Sequence, residues 1–193
     1  MSQTVAPAPA RTLVEVLPAG RVRTVAAVAL GAAAVALLGQ VSVPLWFTPV
    51  PLSLGTLAVL MVGAALGPRL ALVSLTLLTV AGVAGLPVFA EGTSGWAFAS
   101  FGYVLGFLPA AWLMGHLARA GGDRSVWRTF LGAAAASALV YAVGAPWLAV
   151  SLGLDVRGAL ALGVVPFLAG DLIKSAIVAG LVPTLWKVQR WAR

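Results

Sequence analysis

The sequence predicts an all-α integral membrane protein with six transmembrane helices, both termini in the cytoplasm, and a lid-like external loop between helices 1 and 2. Three observations predict it. Of 193 residues, 61% are hydrophobic and 9% charged, whereas a soluble domain is roughly half apolar and a quarter charged. The mean hydropathy is +1.05, so there are too few polar groups to cover a water-exposed surface, and lipid must solvate most of the outside. The apolar residues also fall in runs close to the ~20 residues that cross a bilayer. Finally, the positive charge is confined almost entirely to the segments between those runs.

The elements follow in order. Residues 1–21 carry Pro7, Pro9 and Pro18 with scattered charge and read as a disordered cytoplasmic tail. The first span covers 22–41; it is too long for a signal peptide and lacks a small-x-small exit, so it is retained as a helix. In VSVPLWFTPVPLSL (41–54), Pro44, Pro49 and Pro51 forbid a regular helix. The segment is nonetheless apolar, so it is expected to fold back on the protein near the interface. Two short spans, 52–66 and 69–85, are joined by Gly67, Pro68 and Arg69. A Gly-rich connection, 86–100, precedes a fourth span at 101–117. The fifth covers 129–152, interrupted by Gly144 and Pro146, and the sixth 158–181. The membrane domain as a whole spans 22–186, and residues 187–193 form a basic cytoplasmic tail.

Positive charge tests that layout. Arg11, Arg21, Arg23, Arg69, Arg119, Arg124, Arg128, Lys187, Arg190 and Arg193 fall on one side of it, and only Arg157 on the other. The bias alternates as six spans with both ends inside require. It also gives the net charge of +7 a topological meaning, so a nucleic-acid partner is not expected.

Asp171 and Lys174, in PFLAGDLIKSAIVAG near the middle of the sixth predicted span, are the strongest candidates for chemistry. An ionised group there costs on the order of 2.5–3.5 kcal/mol on insertion scales. At i,i+3 the two share a helix face and can neutralise one another. Two readings are open: an ion pair that fixes helix packing, or a polar anchor in a ligand cavity, the more usual role of intramembrane charge. Pro166 and Gly170 are expected to loosen this helix. The loop 41–54 is either an interfacial belt or a lid, and prolines suit a lid by lowering its ordering entropy. Small residues four apart, at Ala29 and Ala33, Ala32 and Ala36, Gly63 and Gly67, and Gly102 and Gly106, mark close helix contacts, within the bundle or with a partner.

Other chemistry is excluded. There is no cysteine, so no disulfide and no thiolate site. Lys174-Ser175 is preceded by Ile173 where a P-loop requires glycine, leaving no visible means of hydrolysing ATP. His116 is the one histidine, which rules out HExxH zinc chemistry. No catalytic group, metal or cofactor is expected. A channel would need polar residues along several helices, and an enzyme a third group beside Asp171 and Lys174.

The segments FTPVPLSLGTLAVLMVGAALGPRLALVS (47–74), GLPVFAEG (85–92), FGYVLGF (101–107), YAVGAPWL (141–148) and GVVPFLAGDLIK (163–174) resemble, in order and spacing, the BioY family. Its members are biotin-specific substrate-binding (S) components of energy-coupling factor (ECF) transporters. The resemblance implies a six-helix bundle in a bacterial cell membrane that binds biotin in an outward cavity under the first external loop. It further implies a transmembrane coupling subunit and two cytoplasmic ATPase subunits as partners. Asp171 and Lys174 match the family's ligand-contacting GDxxK pair, and Tyr103 and Tyr141 match aromatic motif positions. Phe47 and Trp147 are expected to pack on the ring and aliphatic chain of biotin. Ala29 and Ala33 resemble the small-residue motif that docks on the coupling subunit. Many members have Gln where this chain has Gly55, so that polar contact is missing unless water or a neighbouring Thr, such as Thr48 or Thr56, replaces it; it is assigned to none of them. An S component for another small vitamin is the nearest alternative.

Overall fold

The computed structural model describes residues 12–191, and five of its helices are long and apolar enough to cross a membrane. They are α1 (Arg21–Gln40), α2 (Gly55–Val83), α3 (Phe101–Arg119), α4 (Val126–Leu152) and α6 (Val165–Trp191), with a short α5 (Val156–Gly163) before the last. The core between them is built from fully buried side chains such as Leu60, Leu75, Met114, Leu148, Val178 and Val182.

α2 is one element only by its hydrogen bonds. At Gly67 the backbone turns to φ 77°, ψ 172°, a conformation that essentially only glycine adopts. Gly55 and Leu78 line the same cavity together with Gly39 of α1, although an unbroken helix would hold them roughly 35 Å apart. The chain therefore reverses at Gly67, and its two arms are the segments expected at 52–66 and 69–85. The reversal seats on α3, where a Cβ on Gly115 would collide with Gly67 and Pro68. Below it, Thr12 and Val14 are buried around a short 3-10 helix, Leu13–Val16. The tail expected to be disordered is thus ordered from residue 12, because Gly67 exposes a surface that it covers; residues 1–11 lie outside the described residues.

The glycine pairs also resolve. A Cβ on Gly106 would stand 2.8 Å from Val140 Cα, one on Gly102 would collide with Trp147, and one on Gly63 would stand 2.6 Å from the Ala111 carbonyl oxygen. These spacings serve packing inside the bundle. On α1, by contrast, Ala29 and Ala33 are exposed while Ala32 is buried.

Four expectations need correction. The segment 41–54 is a β-hairpin, not an irregular loop: β1 (Ser42–Leu45) pairs antiparallel with β2 (Thr48–Ser53), Val43 opposite Leu52, with a bulge between Val43 and Leu45. Every second N–H of a two-stranded ribbon points away from the partner strand, and prolines two apart, Pro49 and Pro51, suit those positions. The bulge accommodates Pro44. The sixth predicted span, 158–181, is two helices. The backbone breaks at Val164 (φ −126°, ψ −60°) and α6 runs from Val165 through the expected basic tail as far as Trp191. Pro166 therefore stands in the first turn of α6, where its missing N–H is harmless, and does not loosen a helix interior. Asp171 accordingly lies in the second turn of α6, close to the hairpin end of the bundle. Gly144 and Pro146 do not interrupt α4.

At the opposite end, the α3–α4 turn meets the far end of α6. Trp186 Nε1 donates to Asp123 Oδ2 at 2.6 Å, and the Arg124 guanidinium lies 4.5 Å above the same indole. Burial raises the Asp123 carboxyl above the ordinary aspartate range, partly offset by the Trp186 bond and the Arg124 charge.

Candidate ligand-binding site

The second turn of α6 brings Asp171 and Lys174 onto the face that meets α4, where they are only 6% and 7% exposed. Lys174 Nζ donates to Asp171 Oδ1 at 2.7 Å, and the Tyr141 hydroxyl of α4 donates to Asp171 Oδ2. Ser175 Oγ donates to the Asp171 carbonyl at 2.7 Å. The pair is neutral as a unit, which allows it to sit among apolar helices. One hydrogen bond to each carboxylate oxygen leaves lone pairs unused, and one bond from the ammonium leaves two of its donors.

Tyr103 completes the group from α3. Its hydroxyl donates to the Gly163 carbonyl at 2.7 Å, one of the acceptors that the end of α5 leaves without a helical partner. Gly144 provides room for the ring: a Cβ there would lie 2.5 Å from it. A glycine that the sequence marks as a helix breaker is in fact the seat of an aromatic side chain.

Asp171, Lys174, Tyr141 and Tyr103 line a cavity of about 50 Å³, walled by Phe107, Val140 and Phe167 and covered by residues 50–53 of the hairpin. An adjoining cavity of about 70 Å³ shares Val50, Pro51, Ser53, Tyr103 and Phe107 and continues toward Gly55, Phe89 and Phe98. Together they present a polar end on α6 and an apolar, aromatic remainder.

The structure does not bring Phe47, Thr48 or Trp147 to these walls. Phe47 is at the hairpin tip, 40% exposed and edge-on to Trp46. Thr48 Oγ1 donates to the Leu162 carbonyl at 2.8 Å and ties the hairpin to α5. Trp147 Nε1 donates to the Phe98 carbonyl at 3.1 Å and packs on Phe101, holding the connection between α2 and α3. Thr56 does line the smaller cavity. Phe107 and Phe167 are missed by motif reading, but helix spacing marks them: each lies four residues from a chosen one, Tyr103 or Asp171, on the same face. Gln40 is missed as well. Its amide donates to the Phe89 carbonyl at 2.7 Å and accepts from Gly92 N–H at 3.0 Å, pinning the loop above the larger cavity.

The family model described as the BioY family matches residues 8–190. The chain belongs to the BioY family. Among its relatives, the biotin transporter BioY2 of Lactococcus lactis subsp. cremoris is 36% identical over 154 residues, 78% of this chain and 83% of that protein. The probable biotin transporter BioY of Pyrococcus horikoshii is 33% identical over 159 residues, 81% and 91% of the two chains. The fold is similar to a crystal structure of the S-component for biotin from an ECF-type ABC transporter, with TM-score 0.77 and 27% identity, covering 86% of this chain and 92% of that one. A BioY-family chain with this many apolar helices is a multi-pass membrane protein of a transport system and not an enzyme.

Proposed function

We propose that this chain is the biotin-capturing S component of an ECF-type importer in a bacterial plasma membrane. The observation that carries the reading is the cavity in which Asp171, Lys174 and Tyr141 meet aromatic walls under the hairpin. The ureido ring of biotin has two N–H donors and a carbonyl acceptor. Asp171, with lone pairs to spare, accepts from the ring N–H groups, and Lys174 both balances its charge and donates to the ring carbonyl. The aliphatic chain then runs past Tyr103 and Phe107 into the adjoining cavity. Residues at i,i+3 stand only ~5–6 Å apart at Cβ, so the pair serves one end of the ligand.

An apolar cavity of ~150 Å³ is filled by benzene, and biotin is larger, so cavities of about 50 and 70 Å³ must widen to admit it. The hairpin is the cover that moves, and its exposed tip at Trp46 and Phe47 suits a lid. The arms of α2, residues 55–66 and 68–83, are about 18 and 24 Å long, each shorter than a ~30 Å hydrocarbon core; taken as two opposed passes shielded by their neighbours, they give six passes with both ends in the cytoplasm. Ala29 and Ala33 lie exposed on the least buried of the spanning helices and are the docking face for a transmembrane coupling subunit. Two ATPase subunits on that subunit supply the energy for which the chain has no P-loop.

Uptake of labelled biotin by cells expressing the chain with its coupling module tests this. Unlabelled biotin should compete fully and other water-soluble vitamins should not. Competition by another vitamin instead would make the chain an S component for that compound. Biotinamide should compete about as well as biotin; a much weaker effect would move Lys174 to the carboxylate.

A further inference from the structure

Beside the ligand cavity, the bundle has a second and larger concavity. α4, α5 and the start of α6 enclose a groove of about 590 Å³ lined by Ala138, Ala142, Ala145, Ala149, Ala159 and Leu160. It faces outward: Ala142 and Val150 on its α4 wall and Val156 on its α5 wall are all exposed. Through Ala138 and Tyr141 it runs into a smaller cavity of about 120 Å³ that reaches Asp171 from behind. There the Ser137 hydroxyl is buried without a hydrogen-bond partner.

The dimensions and the charge identify the occupant. The α4 wall from 138 to 150 is about 18 Å long, close to one leaflet of a ~30 Å hydrocarbon core. The α5 wall, eight residues, is about 12 Å long. A partner helix would need a seat across both leaflets, whereas a lipid tail needs one. The groove is roughly four times the ~150 Å³ apolar cavity that takes a benzene ring, enough for a long hydrocarbon chain. Val156, Ala159 and Leu160 of α5 face the groove, and Arg157 stands beside its mouth, exposed. Arg157 is the one Lys or Arg at the hairpin end of the bundle outside α6 among the described residues. The neighbouring Asp155 carboxylate caps α5 through Gly158 N–H at 2.8 Å, and the ion pairs among the described residues leave Arg157 out. A guanidinium at headgroup height matches a phosphate diester.

We propose that this groove binds one phospholipid of the hairpin-side leaflet, its phosphate on Arg157 and an acyl chain along the α4 alanines. The chain end covers the lateral route to Tyr141 and Asp171 and keeps the charged pair out of contact with bulk lipid. This site is separate from the ligand cavity, and its test does not depend on biotin.

The purified full-length chain, stripped of lipid in detergent, is titrated with phosphatidylglycerol and, separately, with diacylglycerol. Bound lipid is counted by native mass spectrometry. Ala142→Trp fills the groove, and Arg157→Glu, on the surface, removes the phosphate contact without touching packing. The first phosphatidylglycerol should bind wild type at concentrations at least 5-fold lower than either variant, and diacylglycerol should bind wild type as weakly as phosphatidylglycerol binds Arg157→Glu. Equal binding by all three proteins overturns the site, and an effect of Ala142→Trp alone overturns the phosphate contact. A wild-type dimer that Ala142→Trp abolishes would assign the groove to a second copy of the chain and overturn the lipid.

Discussion

Asp171 is held by its own helix on one oxygen and by α4 on the other, and removing its charged partner alone differs in consequence from removing both charges. Lys174→Met leaves a buried carboxylate unpaired, which costs about 3–5 kcal/mol of stability, and should lower the melting temperature sharply. Asp171→Asn/Lys174→Met removes both charges and should recover most of that loss while ligand binding stays absent. A double variant as unstable as the single one would contradict the pairing. The pair is legible in the sequence because opposite charges one turn apart in an apolar run are tolerated there only by neutralising each other. Tyr141 as partner to Asp171 is not, since that contact depends on how α4 packs against α6. At the opposite end, burial raises the Asp123 carboxyl above its unfolded value. Its contribution to stability is therefore full below the unfolded pKa and declines as pH rises through the folded one. Asp123→Asn keeps an acceptor for Trp186 and cannot ionise. Its melting temperature relative to wild type should rise between pH 4 and pH 7; a flat difference would contradict the buried charge.

Elements are legible in the sequence where periodicity and charge define them and obscure where tertiary contacts do. Gly67-Pro68-Arg69 announces a reversal, because glycine followed by proline ends a helix and the arginine belongs at an interface. Gly67→Ala should destabilise by about 1–3 kcal/mol, since φ 77° with ψ 172° excludes a Cβ; thermal unfolding measures it, and an unchanged midpoint would contradict the turn. The hairpin is hidden by its own prolines, which in sequence argue against strands. They are tolerated because a two-stranded ribbon has outward N–H positions and a bulge. The break at Val164 is flanked by Gly163 and Pro166, residues that commonly close one helix and open the next, a signal that the unbroken apolar run covers. The partner that takes the freed Gly163 carbonyl, the Tyr103 hydroxyl, is 60 residues distant and is not legible locally.

At the scale of the whole molecule, lipid as solvent explains the composition, and the basic segments supply the direction that the proposed topology uses; the sequence carries both. What it does not carry is the division of labour among its aromatic residues. Tyr103 and Tyr141 line the cavity, while Phe47 and Trp147 belong to its cover, although all four sit in equally apolar motifs. Ala33→Trp should abolish uptake in cells and leave ligand affinity within about 2-fold, because Ala33 faces outward and away from the cavity; loss of both would place it in internal packing. The proposed capture role requires that the chain itself bind biotin through Asp171 and Lys174. Isothermal titration of the purified protein with biotin tests it most directly. One site per chain tighter than about 1 μM is expected, that is, more favourable than about −8.2 kcal/mol, and Asp171→Asn should weaken it at least 100-fold. No saturable heat below micromolar, or equal affinity in the variant, would contradict it.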